Sequence, residues 1–316
     1  MKKVLKIIGK VILVLLLVLA AFLIIMTIYN QIMLRKNQEL YNTPLGQLVE
    51  VDGHNMSIYT EGEGGHTIVF LSGWGTSSPI LDFKALYSRL SDENRIVVVE
   101  RFGYGFSDVV EGDRDMDTIL RQDREALENA GIVAPYVLCA HSMAGYEATL
   151  WAQKYPDEVE AIVGLDMCTP NCEDEETAQK EEKLLKLAIG INKFEKVTGL
   201  LRIGSLDQSG TLTKEEDKLF TEICCRKLLN ESVIREGDIN NTIAVNQELN
   251  AAPLPNAPML LYISPDSTEF DENWEKSSQA MTDASENGIL TELDCGHYVH
   301  DFEYERIAKE MKEFLR

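Results

Sequence analysis

Residues 135–145 combine a nucleophile with the backbone setting that such a nucleophile needs. The segment passes from an apolar strand pattern through Ala-His-Ser-Met-Ala into a helical pattern. A serine on a sharp strand-to-helix turn projects its hydroxyl out of the sheet, and the residues two positions away must then be small. Ala140 and Ala144 meet that requirement on either side of Ser142. The pattern favours Ser142 as a nucleophile; the alternative is a serine that only caps the following helix.

A general base must reach that hydroxyl, and neutral imidazole suits the task near pH 7. His297 stands in Asp-Cys-Gly-His-Tyr, after the last apolar run and just before the final helical pattern. The remaining histidines are better explained by the turn itself, the first hairpin or the start of a helix: His141, His54, His66 and His300. The sequence therefore predicts His297 as the base.

An oxyanion hole needs backbone N–H groups from two separate loops. Ser-Gly-Trp-Gly directly follows the apolar run at 67–71 and offers the N–H of Trp74. The second donor is the N–H of Met143, next to the nucleophile. The alternative for the first loop is an ordinary glycine turn.

The elements that must position these residues alternate along the chain. Continuous apolar runs separated by amphipathic helical patterns predict a mostly parallel sheet with helices on both faces. The predicted strands are 67–71, 95–99, 136–139, 161–165, 259–263 and 289–293, and a hairpin precedes them around Asp52-Gly53. The predicted helices are 81–90, 116–130, 143–154, 273–284 and 304–315.

This alternation stops between about residues 168 and 257. The segment is charged and helical in pattern, at 181–191, 214–229 and 231–247. It is too long for an ordinary loop. We predict a helical cap inserted into the core.

The first 36 residues differ from the rest. Val11–Ile28 is apolar except for Thr27, and eighteen helical residues extend about 27 Å, close to the thickness of a bilayer's hydrocarbon core. The alternative, a cleaved signal peptide, would have a shorter run and a small-x-small site. We predict an anchor at 1–36 that crosses the membrane at about 11–30, a tether at 37–46 and a catalytic domain at 47–316.

Flanking charge predicts the orientation. Four lysines precede the span and only Arg35 and Lys36 follow it closely, so the amino terminus should be cytoplasmic and the catalytic domain outside. Without the six basic residues of the first 36, the chain has 24 basic and 52 acidic side chains, a net charge of −28. Such a surface excludes nucleic acid and repels anionic headgroups.

The six cysteines leave the redox compartment open. Cys139 and Cys295 are expected as free thiols near the site, whereas Cys168 and Cys172 could pair. The sequence has no CxxC pair and no HExxH, so a metal site has little support.

Residues 100–108 read Glu-Arg-Phe-Gly-Tyr-Gly-Phe-Ser-Asp. They look like the Asp-Arg-x-Gly-x-Gly-x-Ser-Asp loop of the α/β-hydrolase superfamily, which the chain resembles over roughly 47–316. The departures are Glu100 for Asp, Ala140 and Ala144 for glycines, and Ser72 for a frequent His. None of them removes a catalytic atom. The resemblance implies the α/β-hydrolase fold, and it implies that the glycines of this loop serve a tight turn beside the site.

The triad acid must accept a hydrogen bond from His297. Asp266 follows the predicted strand 259–263, the commoner family location, but Asp166 ends the strand 161–165 and resembles the acid that some relatives keep there. Asp294 is too near His297 along the chain to orient it easily. We predict Asp166, with Asp266 as second choice; the alternative for Asp166 is a helix cap.

These residues predict a serine hydrolase that forms an acyl-enzyme on Ser142 and needs no cofactor. Its substrate would be a small-molecule or peptide carbonyl compound: an ester, an amide or a small peptide. Two alternatives stay open. The first is a non-catalytic binding module of the same fold, and the second is an acyltransferase that uses the same triad.

Overall fold

The computed structural model of the protein describes residues 2–172 and 175–316. Its centre is an eight-stranded sheet in the order β1-β2-β4-β3-β5-β6-β7-β8, in which β2 is antiparallel to both its neighbours, β1 and β4, and β3 to β8 run parallel. The strands are β1 (Gln47–Val51), β2 (His54–Glu61), β3 (Thr67–Leu71), β4 (Arg95–Glu100), β5 (Tyr136–His141), β6 (Val159–Leu165), β7 (Met259–Ile263) and β8 (Gly288–Glu292). The predicted mostly parallel sheet is confirmed.

Helices cover both faces of the sheet. In chain order they are α1 (Lys2–Lys36), α2 (Gln38–Tyr41), α3 (Pro79–Asp82), α4 (Lys84–Tyr87), α5 (Met116–Asn129), α6 (Ala144–Lys154), α7 (Glu175–Thr198), α8 (Lys214–Lys227), α9 (Glu231–Glu236), α10 (Ile239–Asn250), α11 (Pro265–Phe270), α12 (Asn273–Ala284), α13 (Val299–Phe302) and α14 (Tyr304–Phe314). Buried side chains of α5, α6 and α12 form the core on one face, and those of α3, α4 and α14 form the core on the other. Strands β5 and β7 are buried at every position, as expected for parallel strands covered on both sides.

The predicted hairpin lies between β1 and β2. Asp52 and Gly53 both have positive φ, at 52° and 78°. A two-residue turn of this kind matches the twist of the two strands that it joins.

Two predicted helices are divided in the structure. The helix predicted at 81–90 is two short helices that meet at the fully buried Phe83, whose ring packs on Phe70 at a centroid distance of 5.2 Å. The helix predicted at 231–247 is broken at Gly237. A Cβ there would lie 2.4 Å from Nε1 of Trp74, and Asp238 caps a new helix by accepting from the N–H of Asn240.

The segment between β6 and β7 contains α7, α8, α9 and α10. Parallel strands end at the same edge of a sheet. The segment that follows β6 therefore begins at the edge where β5 also ends. Helices α7 and α10 contact each other, and α10 also packs on α6.

Helix α1 is long and apolar enough to cross a membrane, a test that a signal sequence also passes. Its last turns pack against α7 and α8. The segment predicted as a tether contains α2, and the amide of Asn37 donates to Oε1 of Glu222 in α8 over 2.6 Å. Residues 37–46 are therefore attached to the cap rather than free.

Candidate active site

The candidate nucleophile stands where β5 turns into α6. Ser142 has φ 52°, a left-handed conformation that non-glycine residues adopt only when the surroundings impose it. Its carbonyl oxygen accepts from the N–H of Gly145 (2.9 Å) and the N–H of Cys168 (2.8 Å). A Cβ on Gly145 would lie 2.1 Å from the carbonyl oxygen of Cys168. The absence of a side chain at Gly145 therefore lets the segment after β6 close on the turn.

The side chains of Ser142, His297 and Asp166 form one continuous hydrogen-bonded chain. Nε2 of His297 lies 2.9 Å from Oγ of Ser142, and Nδ1 lies 2.6 Å from Oδ2 of Asp166. The carboxylate of Asp166 is completely buried, whereas 30% of the His297 side chain is exposed. The three residues follow β5, β8 and β6, so the parallel sheet brings them to one edge although they are far apart in the chain.

Asp166 accepts hydrogen bonds with both oxygens. Oδ1 accepts from the N–H of Ser264 (3.1 Å) and from Nε1 of Trp274 (3.1 Å). Oδ2 accepts from the hydroxyls of Ser264 (2.5 Å) and Ser267 (2.7 Å), besides its contact with His297. Donors on several sides hold the orientation of a buried carboxylate and compensate for its lost hydration.

Asp266, the second choice from the sequence, contacts a different part of His297. Its Oδ2 accepts from the backbone N–H of His297 over 3.2 Å. The imidazole of His297 is contacted by Asp166 and, through a hydroxyl at 3.2 Å from Nδ1, by Ser267. Asp266 therefore lies beside the loop of His297, and Asp166 lies beside its ring.

Trp74 and Met143 line the same cavity as Ser142 and His297. The preceding Gly73 makes this closeness possible, because a Cβ there would lie 2.8 Å from Cβ of Ser142. The indole N–H of Trp74 donates to the carbonyl of Val233 in α9 over 2.6 Å. The tryptophan side chain therefore joins its loop to the cap.

The cavity in front of Ser142 has a volume of about 530 Å³. Its wall is mostly apolar, with contributions from the core and from the cap: Trp74, Met143, Tyr146, Leu185, Ala188, Ile239, Phe270 and Trp274. A site of this size and character accommodates a small organic molecule with an apolar part.

The loop at 100–108 connects three parts of the site. Nη1 of Arg101 donates to the carbonyl of Ser72 over 2.7 Å, and its Nε donates to Oε1 of Glu236 over 3.0 Å. The hydroxyl of Tyr104 donates to the same Oε1 over 2.8 Å and accepts from the N–H of Gly75 over 3.2 Å. The buried Glu236 belongs to α9, so this network holds the loop of Trp74 to both the core and the cap.

The side chains of His141 and His300 make contacts other than one with the Ser142 hydroxyl. Burial, together with the nearby imidazoles of His300 and His297, holds the pKa of His141 well below its usual value. Nε2 of His141 lies 3.3 Å from the carbonyl of His297, and Nε2 of His300 lies 2.8 Å from Oδ2 of Asp82. No disulfide joins any of the six cysteines, all of which lie in the described residues, so the bond between Cys168 and Cys172 that the sequence left open is not formed.

Several residues of the site were not identified from the sequence. Ser264 and Trp274 contact Asp166 from beyond β7, and Glu236 reaches the core from the cap. Their chemistry depends on which side chains the fold brings together. A tryptophan shortly after a strand and a glutamate in a capping segment have no distinguishing spacing.

Comparison with known proteins identifies the family. The family described as alpha/beta hydrolase fold matches residues 66–186. Protein YbdG of Bacillus subtilis is 32% identical over 303 residues, which are 92% of this chain and 91% of YbdG. The pimeloyl-(acyl-carrier protein) methyl ester esterase of Shewanella woodyi is 36% identical over 110 residues, 34% of this chain and 38% of the esterase. Among solved structures, the Bacillus megaterium epoxide hydrolase in complex with an inhibitor aligns with a TM-score of 0.65 at 18% identity, over 85% of this chain and 99% of that one. The chain belongs to the α/β-hydrolase superfamily.

Proposed function

We propose that this protein is a serine hydrolase that cleaves an ester, an amide or a small peptide through an acyl-enzyme on Ser142. The observation that carries the proposal is the continuous hydrogen-bonded chain from Ser142 through His297 to Asp166, which opens into a largely apolar cavity. Family membership supports hydrolysis in general, and the triad geometry supports the serine mechanism.

In this mechanism the N–H at Nδ1 of His297 donates a hydrogen bond to Asp166, which stays ionised, so the unprotonated Nε2 accepts the proton of the Ser142 hydroxyl. Oγ then forms a bond to the substrate carbonyl carbon as the carbonyl π pair moves to oxygen. Collapse of this intermediate breaks the bond to the leaving group, which takes the proton from Nε2. Water repeats the two steps, so the acyl group leaves as an acid and Ser142 regains its proton.

The N–H groups of Trp74 and Met143 are the proposed donors to the oxyanion. Both residues line the cavity beside Ser142, and each stands on a different loop. Donors that the fold already holds in place cost no reorganisation during the reaction. The network of Arg101 and Glu236 serves this purpose by fixing the carbonyl of Ser72, two residues before Trp74.

Esters with an apolar acyl group are the substrates that the cavity favours. Its wall from Tyr146, Phe270 and Ile239 offers apolar contact next to Ser142. The partial match to a methyl ester esterase of Shewanella woodyi also supports an ester as the substrate.

We further propose that α1 anchors the enzyme in a membrane, with the amino terminus in the cytoplasm and the catalytic domain outside. The apolar run of α1 and the excess of lysines before it support this arrangement.

The nucleophile is tested with the full chain in detergent, a fluorophosphonate probe and a nitrophenyl ester. The wild type and the exposed-serine control Ser88→Ala should label and hydrolyse, whereas Ser142→Ala should do neither. Equal labelling of Ser142→Ala and the wild type would show that another residue is the nucleophile. A wild type that neither labels nor hydrolyses any ester or amide would instead favour a binding module.

A further inference from the structure

Helix α7 has apolar side chains on two opposite faces. On the inner face, Leu185 and Ala188 line the cavity, and Ile189 packs against the buried cluster that contains Tyr104. A helix that is apolar all round is normally buried all round. The rest of the protein covers the inner face of α7, whereas the opposite face is exposed.

The outer face of α7 consists of Leu187, Ile191, Phe194 and Val197, spaced by three or four residues. Between 49% and 63% of each residue's surface is exposed, and Ile203 just beyond the helix is 59% exposed. Single exposed apolar residues are ordinary on a protein surface, but a continuous apolar stripe indicates a surface that binds something.

The charge around the outer face is opposite to that of the whole domain. Residues 37–316 have a net charge of −28, yet residues 183–203 contain five basic side chains and one acidic one. Three of the basic residues are exposed, Lys183, Lys186 and Lys193, and the acid is Glu195. Nζ of Lys196 donates to the carbonyl of Leu228, and the buried guanidinium of Arg202 is paired with Glu222, so these two point into the protein. An apolar stripe accompanied by lysines on an otherwise acidic protein matches an anionic bilayer surface.

The carboxyl end of α7 lies at the end of the apolar run in α1. Nδ2 of Asn30 donates to the carbonyl of Lys196 over 2.9 Å, and Nε of Arg202 donates to Oδ1 of Asn30 over 2.7 Å. Asn30 stands two residues beyond the run Val11–Ile28. If α1 spans a bilayer, this end of α7 is therefore at the depth where α1 emerges into the headgroups.

We propose that the outer face of α7 docks on an anionic phospholipid bilayer beside α1, and that the cavity on its inner face receives amphiphilic esters from that bilayer. The proposal rests on the proposed membrane anchor and on the proposed esterase activity. Docking buries the exposed stripe in the interfacial region and places its lysines near lipid phosphates. The same helix then separates the lipid from the cavity in front of Ser142.

Docking is tested by fluorescence of the full chain reconstituted in phosphatidylcholine–phosphatidylglycerol vesicles. The emission added by Phe194→Trp should fall at least about twofold when brominated phosphatidylcholine replaces the ordinary lipid. The matched control is Val133→Trp. Val133 is 74% exposed and precedes β5, at the opposite edge of the sheet from the cap, so its added emission should not change.

Two results would overturn the docking surface. Lipid that does not quench the emission of Phe194→Trp would show that the stripe does not touch the bilayer, and a dependence of this emission on protein density instead would assign the stripe to a second copy of the chain. A wild type that fails to float with vesicles would overturn the anchor and the docking surface together.

Activity provides the second measurement. In the double variant Leu187→Glu/Phe194→Glu, hydrolysis of a long-chain nitrophenyl ester carried in vesicles should fall about tenfold, because the helix no longer lies on the lipid. Hydrolysis of soluble nitrophenyl acetate should not change. Equal losses on both esters, or no loss on either, would contradict delivery from the bilayer. If the wild type hydrolyses neither ester while the quenching persists, the esterase proposal fails and the docking surface stands.

Discussion

Two aspartates contact His297, and they contact different atoms. Asp166 accepts at the ring nitrogen Nδ1, whereas Asp266 accepts from the backbone N–H. An acid at Nδ1 fixes the imidazole tautomer and stabilises the imidazolium that forms during the reaction. An acid at the backbone only supports the loop, so the two carboxylates differ in what their loss would do.

We expect Asp166→Asn to lower kcat on a nitrophenyl ester by on the order of 10⁴, because an amide cannot hold the required tautomer. Asp266→Asn should lower it far less, since an amide oxygen still accepts from the N–H of His297. Thermal unfolding of both variants controls for misfolding. A larger loss in Asp266→Asn would reverse the assignment of the acid.

Glu100 is a second residue whose environment has a measurable consequence. Burial raises the pKa of its carboxyl from 4.5 to about 7, although the N–H of Phe106 donates to Oε2 over 2.9 Å. The folded chain thus keeps a proton that the unfolded chain releases. Stability therefore declines as the pH rises from the unfolded pKa through the folded one.

We expect Glu100→Gln to remove this decline, because an amide is neutral at every pH. Relative to the wild type, the variant should gain about 3 kcal/mol in unfolding free energy at pH 8 but only about 1 kcal/mol at pH 5, just above the unfolded pKa. Urea unfolding of the full chain in detergent at both pH values measures the difference. An equal gain in unfolding free energy at the two pH values would show that the Glu100 carboxyl of the folded chain is ionised at both.

At the scale of elements, α9 fastens the cap to the loops of the site. Burial alone would raise the pKa of Glu236, but the guanidinium groups of Arg101 and Arg114 hold it below its usual value. Both arginine side chains are almost fully buried, as is Glu236. A charge in this position is costly when its partner is removed.

Glu236→Ala should therefore destabilise the protein by about 3–5 kcal/mol, because it leaves two buried guanidinium groups without their carboxylate. Its kcat should also fall, since Arg101 holds the carbonyl of Ser72. The matched control is Glu231→Ala in the same helix, where 75% of the side chain is exposed. Equal stability of the two variants in urea unfolding would show that the network does not hold the cap.

The sequence predicted the sheet well and the contacts between distant parts of the site poorly, for a physical reason. Parallel strands buried on both faces need continuous apolar runs, so β5 and β7 are visible in the sequence. The contact of Trp274 with Asp166 depends on the pairing of β6 with β7, where Leu165 lies opposite Tyr262. No local pattern encodes that pairing. In the same way, the break between α9 and α10 at Gly237 is explained by the side chain of Trp74, which is distant in the chain.

At the scale of the whole molecule, α1 and the α/β-hydrolase domain are packed together. The amide of Asn37 donates to Glu222, and Nη1 of Arg226 donates to Oε1 of Gln38 over 3.1 Å. These contacts lie just beyond the apolar run of α1. They restrict how far the α/β-hydrolase domain can move relative to α1, as a free tether would not.

The orientation of α1 can therefore be tested on the intact molecule. Lys2, Lys3, Lys6 and Lys10 precede the run and two basic residues follow it, so the positive side is the amino-terminal one. In protoplasts that express the full chain, added protease should degrade the catalytic domain and spare an amino-terminal tag. A chain with a Lys→Gln change at all four positions should lose this bias and become partly protected.

Complete protection of the unchanged catalytic domain would show the reverse orientation. Release of a soluble form that begins after residue 20 would show that α1 is cleaved, and the contacts of its last turns with α7 and α8 would then have to form with what remains of the helix.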